Sequence, residues 1–194
     1  YLIENYSYDK IMIVGYSLGG NITLKYFGEH VKTISDKVSC GVAISVPVDL
    51  ASSSKTMGTS KNKIYMYKFL RSLRKKILVK TQKHPDYKLD INKLLKSKTF
   101  KEFDGLYTAP VSGFSGPEDY WEKASSKPYL TSIKKPVLLI TSKDDPFLAE
   151  ECYPFEEAKK SNYFYLEVTK HGGHVGFISS FLPKKNRWLE NRIL

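Results

Sequence analysis

Serine attacks a carbonyl near neutral pH only when a base takes its proton and the backbone presents its oxygen. The segment Gly15-Tyr16-Ser17-Leu18-Gly19 has the make-up for such a presentation. A short apolar run, residues 10–15, comes just before it, and a helical pattern with Ile22, Leu24, Tyr26 and Phe27 follows over Asn21 to His30. Ser17 therefore falls at the tip of a tight strand-to-helix turn. Such a turn strains the nucleophile's backbone and draws together the residues two positions to either side, which predicts small residues at 15 and 19. Gly20 then lets the helix begin close to the strand. The helix start aims its dipole at Ser17, and the Leu18 amide is the expected donor to an oxyanion.

The serine needs a base, and the base needs an acid to orient it. Two downstream segments qualify, each after an apolar run: Ser142-Lys143-Asp144-Asp145-Pro146-Phe147 and His171-Gly172-Gly173-His174-Val175-Gly176-Phe177. The chain order serine, acid, histidine is one of the known orders for this chemistry. Spacing leaves Asp144 and Asp145 open as the acid, and His171 and His174 open as the base. His171 lacks the paired glycines that precede His174 and reads as a surface residue. Asp49 follows an earlier apolar run and is a rival acid, with helix capping as its plainer role. His30 and His84 sit in polar surroundings with no evident partner. No His, Cys and Asp group has metal-ligand spacing, so neither metal nor cofactor is expected.

The elements that must position these groups are buried strands alternating with helices. Residues 10–15, 38–46, 137–140 and 163–168 read as strands, and Trp188 to Leu194 as a closing helix. That alternation predicts a parallel sheet, which gathers its site at the strands' carboxyl ends. Roughly ninety residues between the second and third strands carry no strand pattern. Lys63 to Lys80 is helical there, with Met66, Leu70, Leu73 and Ile77 on one face and Lys68, Arg71 and Lys75 away from it. Shorter helices are expected at Ile91 to Leu95 and Glu118 to Ala124. The expected division is 1–50 core, 51–132 helical cap and 133–194 core.

The chain has 194 residues and a net charge of +11, a balance that raises the question of nucleic acid or an anionic surface. The excess is local: residues 52–101 carry 15 Lys or Arg against 2 acidic residues, while the remainder carries 16 against 18. Only Arg71, Arg74, Arg187 and Arg192 are arginine, few for a phosphate clamp. Tyr65, Tyr67 and Phe69 intersperse the basic helix, but no base-reading fold accompanies them, so nucleic acid is not an expected partner. The basic helix is expected either to be a solvated lid or to touch an anionic membrane. Cys40 and Cys152 are expected as free thiols, which favours a reducing compartment. No run is long and apolar enough to span a bilayer. The chain opens on Tyr1 rather than Met, so an anchor or targeting segment is expected to lie upstream if there is one, leaving a cytoplasmic or membrane-associated location.

The elbow with its tail, Gly15 to Asn21, resembles the YheT-like branch of the α/β-hydrolases, a group of esterases and lipases. Residues 45–50, Thr108-Ala109-Pro110 with Gly113-Phe114, residues 144–147 and residues 172–177 are similar to that branch as well. The resemblance implies the carboxy-terminal part of an α/β-hydrolase fold with a helical cap insertion. It implies Ser17 as nucleophile, Asp145 as acid and His174 as base, acting on acyl glycerols, phospholipids or short acyl esters. Acyl transfer to an alcohol would use the same triad, and a non-catalytic binding protein on the same scaffold is the alternative of another class. The family's fold has four further strands before the elbow strand, and a loop there supplies a second oxyanion amide. These 194 residues alone are thus expected to be inactive, with an apolar edge exposed along the elbow strand.

Overall fold

Strands buried on both faces read as unbroken apolar runs, and Val137-Leu138-Leu139-Ile140 is such a run. The computed structural model describes residues 1–84, 89–178 and 188–193. It contains a sheet of four parallel strands, β1 (Ile11–Tyr16), β2 (Val38–Ile44), β3 (Val137–Ser142) and β4 (Phe164–Thr169), ordered as in the chain. Val14 lies opposite Val42, Ala43 opposite Leu139, and Ile140 opposite Glu167.

Successive side chains alternate between the two faces. Ala43, Val137 and Leu139 join Leu24 and Phe27 of the helix Leu18–Glu29 in one core. Val42, Ile44 and Ile140 face the other way and meet Phe177 and Leu189, the latter from the helix Trp188–Ile193. Leu194, expected to end that helix, lies outside the described residues. Phe27 is 1% exposed, so truncating it to Ala is expected to cost about 3–5 kcal/mol. Among the described residues β1 pairs on one side only, and its Met12, Val14 and Tyr16 are each more than a third exposed.

The chain divides into two compact units, Tyr1–Asp49 with Ser125–Leu194, and Leu50–Ala124. Residues 125–132 thus pack with the sheet rather than with the helical insertion: Leu130 is fully buried in the core with Leu24, Phe27 and Val137.

The second unit is helical. Its longest helix, Lys63–Lys83, buries Met66, Leu70 and Ile77 at helical spacing and leaves Lys68, Arg71 and Lys75 exposed. Arg74 differs from these three exposed cations. It is half-buried, and its guanidinium donates to the carbonyl of Ser97. A helix at Leu50–Met57, not evident in its polar sequence, leads into the unit. Asp104, in a turn of π-helix at Asp104–Thr108, accepts from Trp121 Nε1 at 2.9 Å and Thr108 Oγ1 at 2.7 Å. Burial pushes the Asp104 carboxyl above its ordinary pKa despite these two donors.

Candidate active site

Ser17 sits between β1 and the helix Leu18–Glu29 with φ 51° and ψ −121°, a left-handed backbone that an L-residue adopts only under constraint. The constraint comes from both sides. The Ser17 amide donates to Ile44 O at 2.8 Å, continuing the β1–β2 ladder, and its carbonyl accepts from Asn21 N at 3.1 Å, starting the helix. The helix therefore begins directly after the serine, three residues earlier than its apolar pattern suggests. Leu18 N is the first amide of that helix, one of the donors a helix start leaves free.

The glycines around the serine divide differently from the sequence expectation. A Cβ on Gly15 would lie 2.4 Å from Thr23 Oγ1 and 2.5 Å from Gly19 O, and one on Gly20 would lie 2.4 Å from Val46 Cγ2. A Cβ on Gly19 would meet nothing within 4 Å. The tight approach thus runs from residue 15 to the backbone of residue 19, and of the three glycines around the serine only Gly15 and Gly20 are sterically required by the described residues.

His174 and Asp145 reach the serine from the ends of β4 and β3. His174 Nε2 is 2.8 Å from Ser17 Oγ, and its Nδ1 is 2.8 Å from Asp145 Oδ2. The Asp145 side chain is fully buried and the His174 side chain 16% exposed. Asp145 Oδ1 accepts from Phe147 N at 2.9 Å, so each carboxylate oxygen has one donor in addition to its charge. The Phe147 ring packs against the imidazole with centroids 4.5 Å apart. A base touching the hydroxyl on one side and a buried carboxylate on the other can accept the serine proton and stabilise the resulting imidazolium.

Asp144 makes different contacts. Its Oδ1 accepts from the amides of Gly172 at 2.9 Å and Gly173 at 2.8 Å, and Oδ2 lies 3.4 Å from His171 Nδ1. Desolvation pushes its carboxyl up, but the Gly173 amide, followed by Ser142, His171 and Gly172, outweighs that and holds it below the ordinary range. Ser142 Oγ donates to Gly173 O at 2.7 Å, and Gly173 adopts φ 59°. The loop carrying His174 is therefore tied at two successive glycines to the loop carrying Asp145. The sequence held one signal for this brace, an Asp in the turn beside Asp145 and a glycine pair with unshielded amides.

The remaining candidates lie apart from this relay. His171 is exposed and contacts Asp144 rather than Ser17. Asp49 directly precedes the helix Leu50–Met57, and its carbonyl accepts from Cys152 Sγ at 3.5 Å. His30 packs on Tyr26 next to Glu29, and His84 ends the helix Lys63–Lys83. Cys40 and Cys152 are free thiols. Tyr153 donates to Ser142 O at 2.8 Å; burial, then the charge of Asp145, pushes its phenol up to about 12. Among the described residues no group of three His, Cys, Asp or Glu could hold a metal ion. No described helix is long and apolar enough to cross a membrane.

A family model described as the alpha/beta hydrolase fold matches residues 1–181. The chain is 32% identical to YheT of Escherichia coli over 194 residues, all of this chain and 56% of YheT. It is 31% identical to a monoacylglycerol lipase of Saccharomyces cerevisiae, over 87% of this chain and 38% of the lipase. It is 27% identical to the human phospholipase ABHD3, over 92% of this chain and 43% of that protein. The chain thus spans about half the length of the curated relatives it matches. Among solved structures, an esterase of Pyrococcus furiosus superposes with a TM-score of 0.53 at 22% identity, covering 99% of this chain and 55% of that one.

Proposed function

Because this chain belongs to the α/β-hydrolase fold family, we propose that it carries the triad of a serine carboxylester hydrolase acting on lipid-like acyl esters. The observation behind this reading is the unbroken relay from Ser17 through His174 to Asp145, two contacts of 2.8 Å each. Ser17 Oγ attacks the ester carbonyl while His174 Nε2 takes the serine proton. The oxyanion gathers its charge beside the Leu18 amide. Collapse of the adduct expels the alcohol, which takes the proton back from His174 and leaves an acyl-serine. Water then attacks the acyl carbon, again giving up its proton to His174, and the carboxylic acid leaves as Ser17 recovers its hydrogen. Asp145 holds the imidazole in the tautomer that keeps Nε2 free to accept.

Acylglycerols, phospholipids and shorter esters are the proposed substrates, supported by relatives named as a monoacylglycerol lipase and a phospholipase. The helical insertion, residues 51–132 by sequence, is the proposed source of selectivity. Its exposed Lys68, Arg71 and Lys75 are the proposed contact with anionic lipid. The whole protein is the proper test object. A fluorophosphonate probe should label the full-length protein and fail to label its Ser17→Ala variant. Equal labelling of the two would remove Ser17 from the reaction.

A further inference from the structure

A cavity of about 320 Å³ opens inside the second unit, bounded by the end of the helix Leu50–Met57, the turn after it, one side of the helix Lys63–Lys83, and Lys98. Its composition is two-sided. Met57, Met66 and Leu70, each at most 4% exposed, supply apolar walls, whereas Lys63, Arg74 and Lys98 bring three cations. Among the described residues no carboxylate lines it. None of the three cations forms an ion pair with a described residue. The nearest acid along the chain, Glu102, accepts from the backbone amide of Lys98 at 2.6 Å. Arg74 adds the most specific clue. One end of its guanidinium is fixed on the Ser97 carbonyl, while its Nε is buried and has no hydrogen-bond partner among the described residues. Buried donors in folded proteins almost always have an acceptor, and an orphan one marks a place where an acceptor belongs.

We propose that this cavity is a binding site for a single acyl chain bearing an anionic head group. The chain lies against Met57, Met66 and Leu70, and the head group meets Lys63, Arg74 and Lys98. Arg74 is held in place by Ser97, whereas Lys63 and Lys98 are exposed and free to close on the anion. Small-molecule sites span roughly 300–1,000 Å³, and a cavity at the lower end holds one short chain, not two. A carboxylate and a phosphate monoester share this chemistry. The site lies wholly among residues 57–98 and uses no residue of the triad, so it stands or falls independently of ester hydrolysis.

Calorimetric titration of the full-length Ser17→Ala protein, which removes turnover, tests the assignment with decanoate, decyl phosphate, decanol and inorganic phosphate below any micelle concentration. At least one of the two charged amphiphiles should bind tenfold or more tightly than decanol and than inorganic phosphate. Lys63→Gln with Lys98→Gln, both exposed positions, should weaken that binding tenfold or more without lowering the melting temperature. Met66→Trp, which fills the cavity, should abolish it. A preference for decanoate points to a free fatty acid, and one for decyl phosphate points to a phosphorylated lipid. Decanol binding as tightly as the anions would overturn the cationic half of the site. Inorganic phosphate binding as tightly as decyl phosphate would overturn the apolar half. Unchanged binding in the double variant would overturn the location.

Discussion

Replacing Asp145 by Asn changes one oxygen to nitrogen in a fully buried side chain, and the surroundings dictate how the new amide must sit. The Phe147 amide, 2.9 Å from Oδ1, needs an acceptor, so the amide oxygen of Asn stays there. Its NH₂ is then forced toward His174 Nδ1, where the carboxylate oxygen stood at 2.8 Å. An NH₂ facing Nδ1 requires Nδ1 to be the unprotonated nitrogen. The ring proton moves to Nε2 and points at Ser17 Oγ, and the base can no longer accept. In a serine protease the equivalent change lowers turnover by about 10⁴, corresponding to about 5 kcal/mol of transition-state stabilisation. A loss of that order is expected here. The assay is pre-steady-state hydrolysis of p-nitrophenyl butyrate by the full-length protein, which separates acylation from binding. A decrease of less than about tenfold in the acylation rate, or a larger decrease in Asp144→Asn, would refute the assignment of the acid.

Asp144→Ala removes the acceptor of two glycine amides and should lower kcat about tenfold, whereas Asp144→Asn keeps an acceptor oxygen and should stay near wild type; steady-state kinetics of both variants decides. Lys68→Gln, Arg71→Gln and Lys75→Gln together should weaken binding to anionic vesicles by up to about 10²-fold at low salt, since each cation near such a surface contributes about 1 kcal/mol. Co-sedimentation at low and high salt measures this, and equal binding to neutral vesicles would exclude a membrane role for the helix. The raised pKa of Asp104 favours its neutral form in the fold. Its contribution to stability is therefore fullest below the ordinary carboxylate pKa and declines as pH rises above about 4. Urea midpoints of wild type relative to Asp104→Asn should accordingly fall as pH rises above about 4, and a constant difference would contradict the shift.

Strands and elbow were legible because their signals are local. A buried parallel strand must be apolar at every position, and a serine between spaced glycines at a strand end admits few structures. The choice of the proposed acid was harder. Asp144 and Asp145 are adjacent and chemically identical, and what separates them is direction: one meets an imidazole, the other two glycine amides. Composition cannot express that. The helix Leu50–Met57 leaves no clear sequence signal, since Ser52, Ser53 and Ser54 are indifferent helix formers and burial of Leu50, Ser53 and Met57 holds it in place. Arg74 lies at the margin of its helix, where Ser97 offers a carbonyl, a contact that periodicity does not encode. The Asp104–Trp121 pair joins residues seventeen positions apart and left no periodic trace.

The insertion enters and leaves the sheet-bearing unit at almost one point. Lys127 N donates to Val48 O at 3.1 Å, and Ser126 N donates to the Asn21 side chain in the elbow helix at 2.9 Å. The two ends of the intervening segment are thus fastened to each other within the first unit, whose β2 and β3 pair directly. The entropy of closing a loop rises only with the logarithm of its length, so shortening or lengthening this one by half changes the closure cost by less than about 1 kcal/mol. The junction at Val48 and Lys127 is therefore the place where a segment of another length can be spliced in at little cost in closure entropy.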